Sequence, residues 1–141
     1  MKSISTLALA ALLTLAPVAA FGHAPSTGVH GGMQTHAGPL HQELVIKDGA
    51  VTIYLNNTDD QPVETVGATG TVTLLLDGTP VQVALAPGGA NSLSGKLDRA
   101  VPAGTRITTT VTLAGKGALP ARYEWKPAGE AAAGGHEGHA H

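Results

Sequence analysis

The chain has no cysteine, and its 141 residues include only one tryptophan, two tyrosines and one phenylalanine. The missing thiols exclude disulfides, thiolate metal sites, thiol exchange and a lipid anchor on cysteine. Any metal would have to use nitrogen, oxygen or thioether ligands. So few aromatic side chains cannot build a stacking surface for sugars or bases. Charge is sparse and nearly balanced, eight Lys+Arg against ten Asp+Glu, which leaves no basic footprint for nucleic acid or an anionic membrane. No histidine occurs between Gln42 and Gly135, so a Ser-His-acid triad is not available within that body. Gly67-Ala68-Thr69-Gly70 lacks the lysine and the following helix of a phosphate loop. Asp59-Asp60 sit in a turn-rich stretch and read as caps for backbone amides, not as paired catalytic acids. Together these absences argue against an enzyme.

Long apolar runs are also missing, with one exception. Met1-Lys2 precedes an apolar stretch from Ile4 to Ala20, with Leu7, Leu9, Leu12, Leu13 and Leu15 at its centre. The basic start, apolar middle and small residues at the end predict a signal peptide over residues 1–22. The run is short for a membrane span, which needs about 20 residues. An uncleaved anchor is the competing reading. Export would deliver the mature protein to the periplasm, with no further membrane span. Cleavage fits after Gly22, which makes His23 the first residue, or after Ala20, which makes it the third.

What remains has the length of one domain. Threonine, valine, glycine and alanine dominate it, a composition that favours strands and tight turns. Val51, Ile53 and Leu55 alternate with Thr52, Tyr54 and Asn56, and Ile107, Val111 and Leu113 alternate with threonines. Similar patterns cover Glu43 to Ile46, Thr71 to Leu76, Val81 to Leu85, Asn91 to Leu97 and Leu119 to Trp125, with a short edge strand over Val63 to Ala68. Asp77-Gly78 is a hairpin dipeptide, and Pro87-Gly88-Gly89 ends its strand. About seven short strands with turn signals every 8–12 residues or so predict an all-β, antiparallel sandwich or small barrel. The expected organisation is a flexible His/Gly-rich segment at 23–40, the β domain at 41–127 and a disordered His-rich tail at 128–141.

The seven histidines are therefore all at the flanks. Imidazole is the commonest protein metal ligand. As first residue, His23 offers an amine–imidazole chelate; as third, it completes a four-nitrogen square-planar site suited to Cu(II) or Ni(II). His30, Met33, His36 and His41, with Glu43 close behind, form the stronger candidate set. Imidazoles suit Cu(II) or Zn(II), and the Met33 thioether favours Cu(I). The spacing matches no closed zinc motif. His136, His139 and His141 form a loose terminal tract expected to bind weakly.

His30-Gly31-Gly32, Glu43-Leu44-Val45, Pro62-Val63, Gly67 to Leu74 and Ala121-Arg122-Tyr123-Glu124-Trp125 follow one another in an order with a family likeness. They resemble small periplasmic proteins associated with heavy-metal resistance, and the N-terminal module of RND-type metal-efflux adaptor (membrane-fusion) proteins. The resemblance covers about residues 30–126. It implies an immunoglobulin-like β-sandwich in the periplasm, associated with copper or divalent-metal efflux, and this chain reads as that module alone. Where relatives often carry an Asp-His pair before Pro-Val, this chain has Asn57-Thr58-Asp59-Asp60. A loop ligand is thus absent or replaced by carboxylate.

The favoured expectation is a non-enzymatic periplasmic metal-binding protein. It would be a buffer, chaperone or sensor for copper, or for zinc, nickel or cobalt, with a periplasmic component of an efflux system as possible partner. The alternative is an interaction module that docks on an efflux or secretion component, with incidental histidines. A copper oxygenase built on His23 would need a second histidine on the folded body and a substrate face, and neither is evident.

Overall fold

The computed structural model describes residues 26–127, so the expected leader, His23 and the tail from residue 128 lie outside the described residues. Within them the chain is all-β. The strands are β1 (Ser26–Thr27), β2 (Met33–Ala37), β3 (Leu40–Lys47), β4 (Ala50–Asn57), β5 (Thr69–Leu76), β6 (Thr79–Gly89), β7 (Ser92–Lys96), β8 (Arg106–Thr112) and β9 (Ala118–Glu124). They form one antiparallel sheet in the order β1-β2-β3-β4-β7-β6-β5-β8-β9. β2 lies against β9, so the sheet is curled into a half-barrel.

Period-2 alternation explains why these segments are strands. In β4, Val51, Ile53 and Leu55 are fully buried while Thr52 and Tyr54 are half-exposed. In β8, Ile107, Thr109 and Val111 point inward and Arg106, Thr108 and Thr110 outward. The inward rows from both ends of the sheet meet in one core with Leu44, Val72, Leu74, Leu93 and Tyr123. Asp48-Gly49 and Asp77-Gly78 both have positive φ at the two central positions of two-residue hairpins, the backbone of a type I′ turn.

The described residues hold nine strands where about seven were expected, and the assignment differs in two places that act in opposite directions. The stretch expected to be flexible carries β1 and β2. Thr35 and His36 hid this in a segment rich in glycine and histidine, where no apolar period shows. Conversely, Val63 to Ala68 is not a strand. It makes no strand ladder: the bridge Asn56↔Pro62 leads into it, Val63 N–H donates to the Leu55 carbonyl, Thr65 turns to the carbonyls of Gly89 and Ser92, and Val66 is exposed. β6 also runs past its expected end. Its first part pairs with β5, and Ala86 to Gly89 pairs with β7 across a register shift at Pro87/Gly89. A bulge is where a strand tolerates proline, and here it carries the sheet from one half to the other.

Gln42 ties the curl shut. Its side chain is fully buried; Nε2 donates to the Leu119 carbonyl at 3.1 Å, and Oε1 accepts from Thr109 Oγ1 at 2.7 Å. The Tyr123 hydroxyl donates to the Gln42 carbonyl at 3.0 Å. Burial, and secondarily the charge of Glu43, pushes the Tyr123 phenol above its ordinary value. The folded state therefore keeps this proton while the unfolded chain releases it near the ordinary value of 10.0. The stability tied to Tyr123 is complete below that pH and declines progressively as pH rises from there towards the raised folded-state value. Thermal midpoints should fall as pH is raised from about 9 to about 11. The fall should be shallower in Tyr123→Phe; an equally steep fall would rule out Tyr123 as its source.

Candidate metal-binding face

Strand alternation in β3 sends Leu40, Gln42 and Leu44 into the core and His41 and Glu43 to the outer face. β2 pairs with β3 so that His36 stands opposite His41 and Gln34 opposite Glu43. β4 then adds Asn56 beside His41 and Tyr54 beside Glu43. The outer face of β2-β3-β4 thus holds two neighbouring rows, His36-His41-Asn56 and Gln34-Glu43-Tyr54.

The first row depends on the turn that precedes it. β2 and β3 are joined by Gly38-Pro39 alone, between the paired Ala37 and Leu40. Gly38 has φ +57, and proline follows with its fixed negative φ, the combination of a type II′ hairpin. That two-residue turn makes His36 and His41 direct cross-strand neighbours. Their rings meet edge to face, with centroids 4.6 Å apart and planes at 77°. His41 Nδ1 lies 3.4 Å from Asp60 Oδ1 and 3.3 Å from Gln34 Nε2.

Asp60 is carried there by the loop after β4. The Asn57 carboxamide oxygen accepts from the backbone N–H groups of Asp59 and Gln61, both at 2.9 Å. Asp60 N–H donates to the Asn57 carbonyl, and Asp60 itself has φ +58. The expectation that the two aspartates cap backbone amides is corrected: Asn57 does so, which leaves the Asp60 carboxylate to face His41.

The second row is built around Glu43, whose side chain is only 1% exposed although it points to the outer face. The turn Gly28 to Gly32 covers it. Glu43 Oε1 accepts from the N–H groups of His30 and Gly32 at 2.8 and 2.9 Å, and Oε2 faces His30 Nδ1 at 2.8 Å. Gly28 packs so closely that a Cβ there would collide with the Glu43 carboxylate. The His30 ring stacks on Tyr54, with centroids 3.6 Å apart and planes within 8°. Glu43 is thus engaged through both carboxylate oxygens and works as an anchor, not as the free carboxylate ligand the sequence suggested. It also fixes His30 through Nδ1.

Of the remaining candidates, Met33 faces the other way. It pairs with Leu44, packs against the core and accepts a hydrogen bond on Sδ from Lys126 N–H at 3.4 Å. The expectation that Met33 joins the histidines is therefore corrected: it lies three positions before His36 on β2, so strand alternation puts the two on opposite faces. His23, His136, His139 and His141 lie outside the described residues. Among the described residues, no three His, Asp or Glu side chains converge as a ready metal cage, and no helix is long and apolar enough to cross a membrane. Reading the sequence missed Gln34 and Tyr54, and left open whether a carboxylate of the Asp59-Asp60 loop replaces a ligand. The one signal that pointed to the His36–His41 pair was Gly38-Pro39, a tight-turn dipeptide placed midway between the two histidines. Comparison with known protein families, curated proteins and solved structures finds no match to this chain.

Proposed function

We propose that this is an exported, periplasmic metal-binding protein that buffers or passes on copper or another divalent transition ion in support of metal efflux or resistance. The supporting observation is the cross-strand pair His36–His41, two imidazoles 4.6 Å apart on the outer face of the sheet, His36 exposed and His41 half-buried. Two imidazoles favour Cu(II), with Zn(II), Ni(II) and Co(II) behind it in affinity. In this reading the curled sheet is the immunoglobulin-like sandwich scaffold that the resemblance implies, and it takes no chemical step. His136, His139 and His141 add weaker sites, and His23 adds a chelate whose form depends on where the leader is cut.

A pair of imidazoles without a closed cage suits a carrier. It holds an ion well enough to remove it from solution and leaves coordination positions through which a partner can take it. Calorimetric titration of the exported chain with Cu(II) and Zn(II) should show a class of sites with Kd on the order of a micromolar or tighter. That class should weaken at least ~10-fold in His36→Ala/His41→Ala. Absence of any binding by the unmodified chain would refute the reading.

A further inference from the structure

We infer that Asp60 is the positioning residue of a two-imidazole site, in which His41 coordinates a divalent transition ion through Nε2 and His36 supplies the second nitrogen. This rests on the metal-binding reading above and deepens it. Facing residues on adjacent strands bring Cβ atoms to about 5 Å, and imidazole nitrogens bind such ions at about 2.0–2.1 Å. Rings with centroids 4.6 Å apart are therefore close enough to share one ion.

Two neighbours compete for His41 Nδ1. Gln34 Nε2 at 3.3 Å is a donor, and it suits the tautomer with a lone pair on Nδ1 and the proton on Nε2. Asp60 Oδ1 at 3.4 Å is an acceptor, and it suits the tautomer with the proton on Nδ1 and the lone pair on Nε2. Only the second tautomer can ligate through Nε2. Ion binding there selects the Asp60 partnership, and the carboxylate in turn makes the imidazole a better donor to the metal. Gln34 then has to release Nδ1, so the two contacts form a switch between an empty and a loaded ring. His30 carries a similar carboxylate on its own Nδ1, but its ring is stacked on Tyr54 and its backbone is tied to Glu43. The inferred site does not include it.

Asp60→Asn is a clean test because asparagine also tolerates the positive φ of this position. Asp59→Asn is its control: it removes the same charge one residue away, from a side chain with no contact to His41 among the described hydrogen bonds. Cu(II) and Zn(II) affinities of the full exported chain should fall about ten-fold or more in Asp60→Asn and stay near the unmodified value in Asp59→Asn. Pulsed EPR of the Cu(II) form should still report two imidazoles in Asp60→Asn, and should lose one of them in His36→Ala. Equal losses in both Asn variants, or no loss in Asp60→Asn, would overturn the positioning role. Tight binding that ignores His36→Ala/His41→Ala would overturn the site while sparing the metal-binding reading, whereas a chain that binds neither ion would remove both.

Discussion

Gln42→Ala should destabilise the fold by about 3–5 kcal/mol, the largest single effect expected outside the apolar core. The side chain is fully buried and its two ends are both used, by Thr109 and by the Leu119 carbonyl. Alanine leaves both partners without a hydrogen bond in a dry environment and opens a cavity as well. For a domain of this size that corresponds to roughly 15 °C or more in Tm. Gln42→Leu retains most of the volume and isolates the polar part of the cost. Pairing it with Thr109→Val should recover part of the loss, because removing both partners is cheaper than orphaning one. Thermal unfolding of the two single variants and the double one checks this. Strict additivity would show that the Gln42–Thr109 bond is not what holds β3 to β8. Gln42 lies between His41 and Glu43, so the same buried bond that closes the half-barrel also sets the backbone carrying the histidine face.

Glu43→Ala should cost about 2–4 kcal/mol and free the turn from Gly28 to Gly32. The carboxylate accepts two backbone N–H groups and faces one imidazole nitrogen, all at 2.9 Å or less. Amide hydrogen exchange would show the loss directly, through protection at His30 and Gly32. Glu43→Gln should be milder, since its carbonyl can still accept both backbone bonds, but it loses the acceptor for His30 Nδ1. Gly28→Ala should mimic the alanine variant from the other side, since its Cβ would displace the carboxylate. Unchanged protection in Glu43→Ala would mean that the turn is held by its own backbone bonds, Gly28 N–H to Gly32 O and Gly31 N–H to Gly28 O, and not by Glu43.

Much of the framework was legible in the linear pattern. Val51-Ile53-Leu55 and the run from Ile107 to Leu113 alternate so regularly that only a half-buried strand fits them, and Asp77-Gly78 marks a hairpin on local chemistry alone. β1 and β2 were not legible, because Gln34, Thr35 and His36 carry no apolar alternation. β2 is a strand because β3 offers it a paired edge and because Ala37 and Met33 fill the core beside Leu40 and Leu44. The Val63 to Ala68 segment erred in the opposite direction. Its apolar content suggested a strand, but Thr65 is consumed by the carbonyls of Gly89 and Ser92, and the chain turns there instead.

Local sequence was sufficient to determine an all-β chain and its hairpin turns, because alternation and turn chemistry act over a few residues, but the histidines expected at the flanks of the body include His36 on β2 and His41 on β3, inside the sheet. Only the tertiary structure decided which of those histidines meet. Strand pairing set His36 against His41, and the loop after β4 brought Asp60 to them across 19 residues of sequence. Strand alternation turned Met33 to the other face, and the turn over Glu43 locked His30 in place. Register and burial depend on partners distant along the chain, and these converted the four candidates His30, Met33, His36 and His41 into one pair, one anchored ring and one side chain packed against the core.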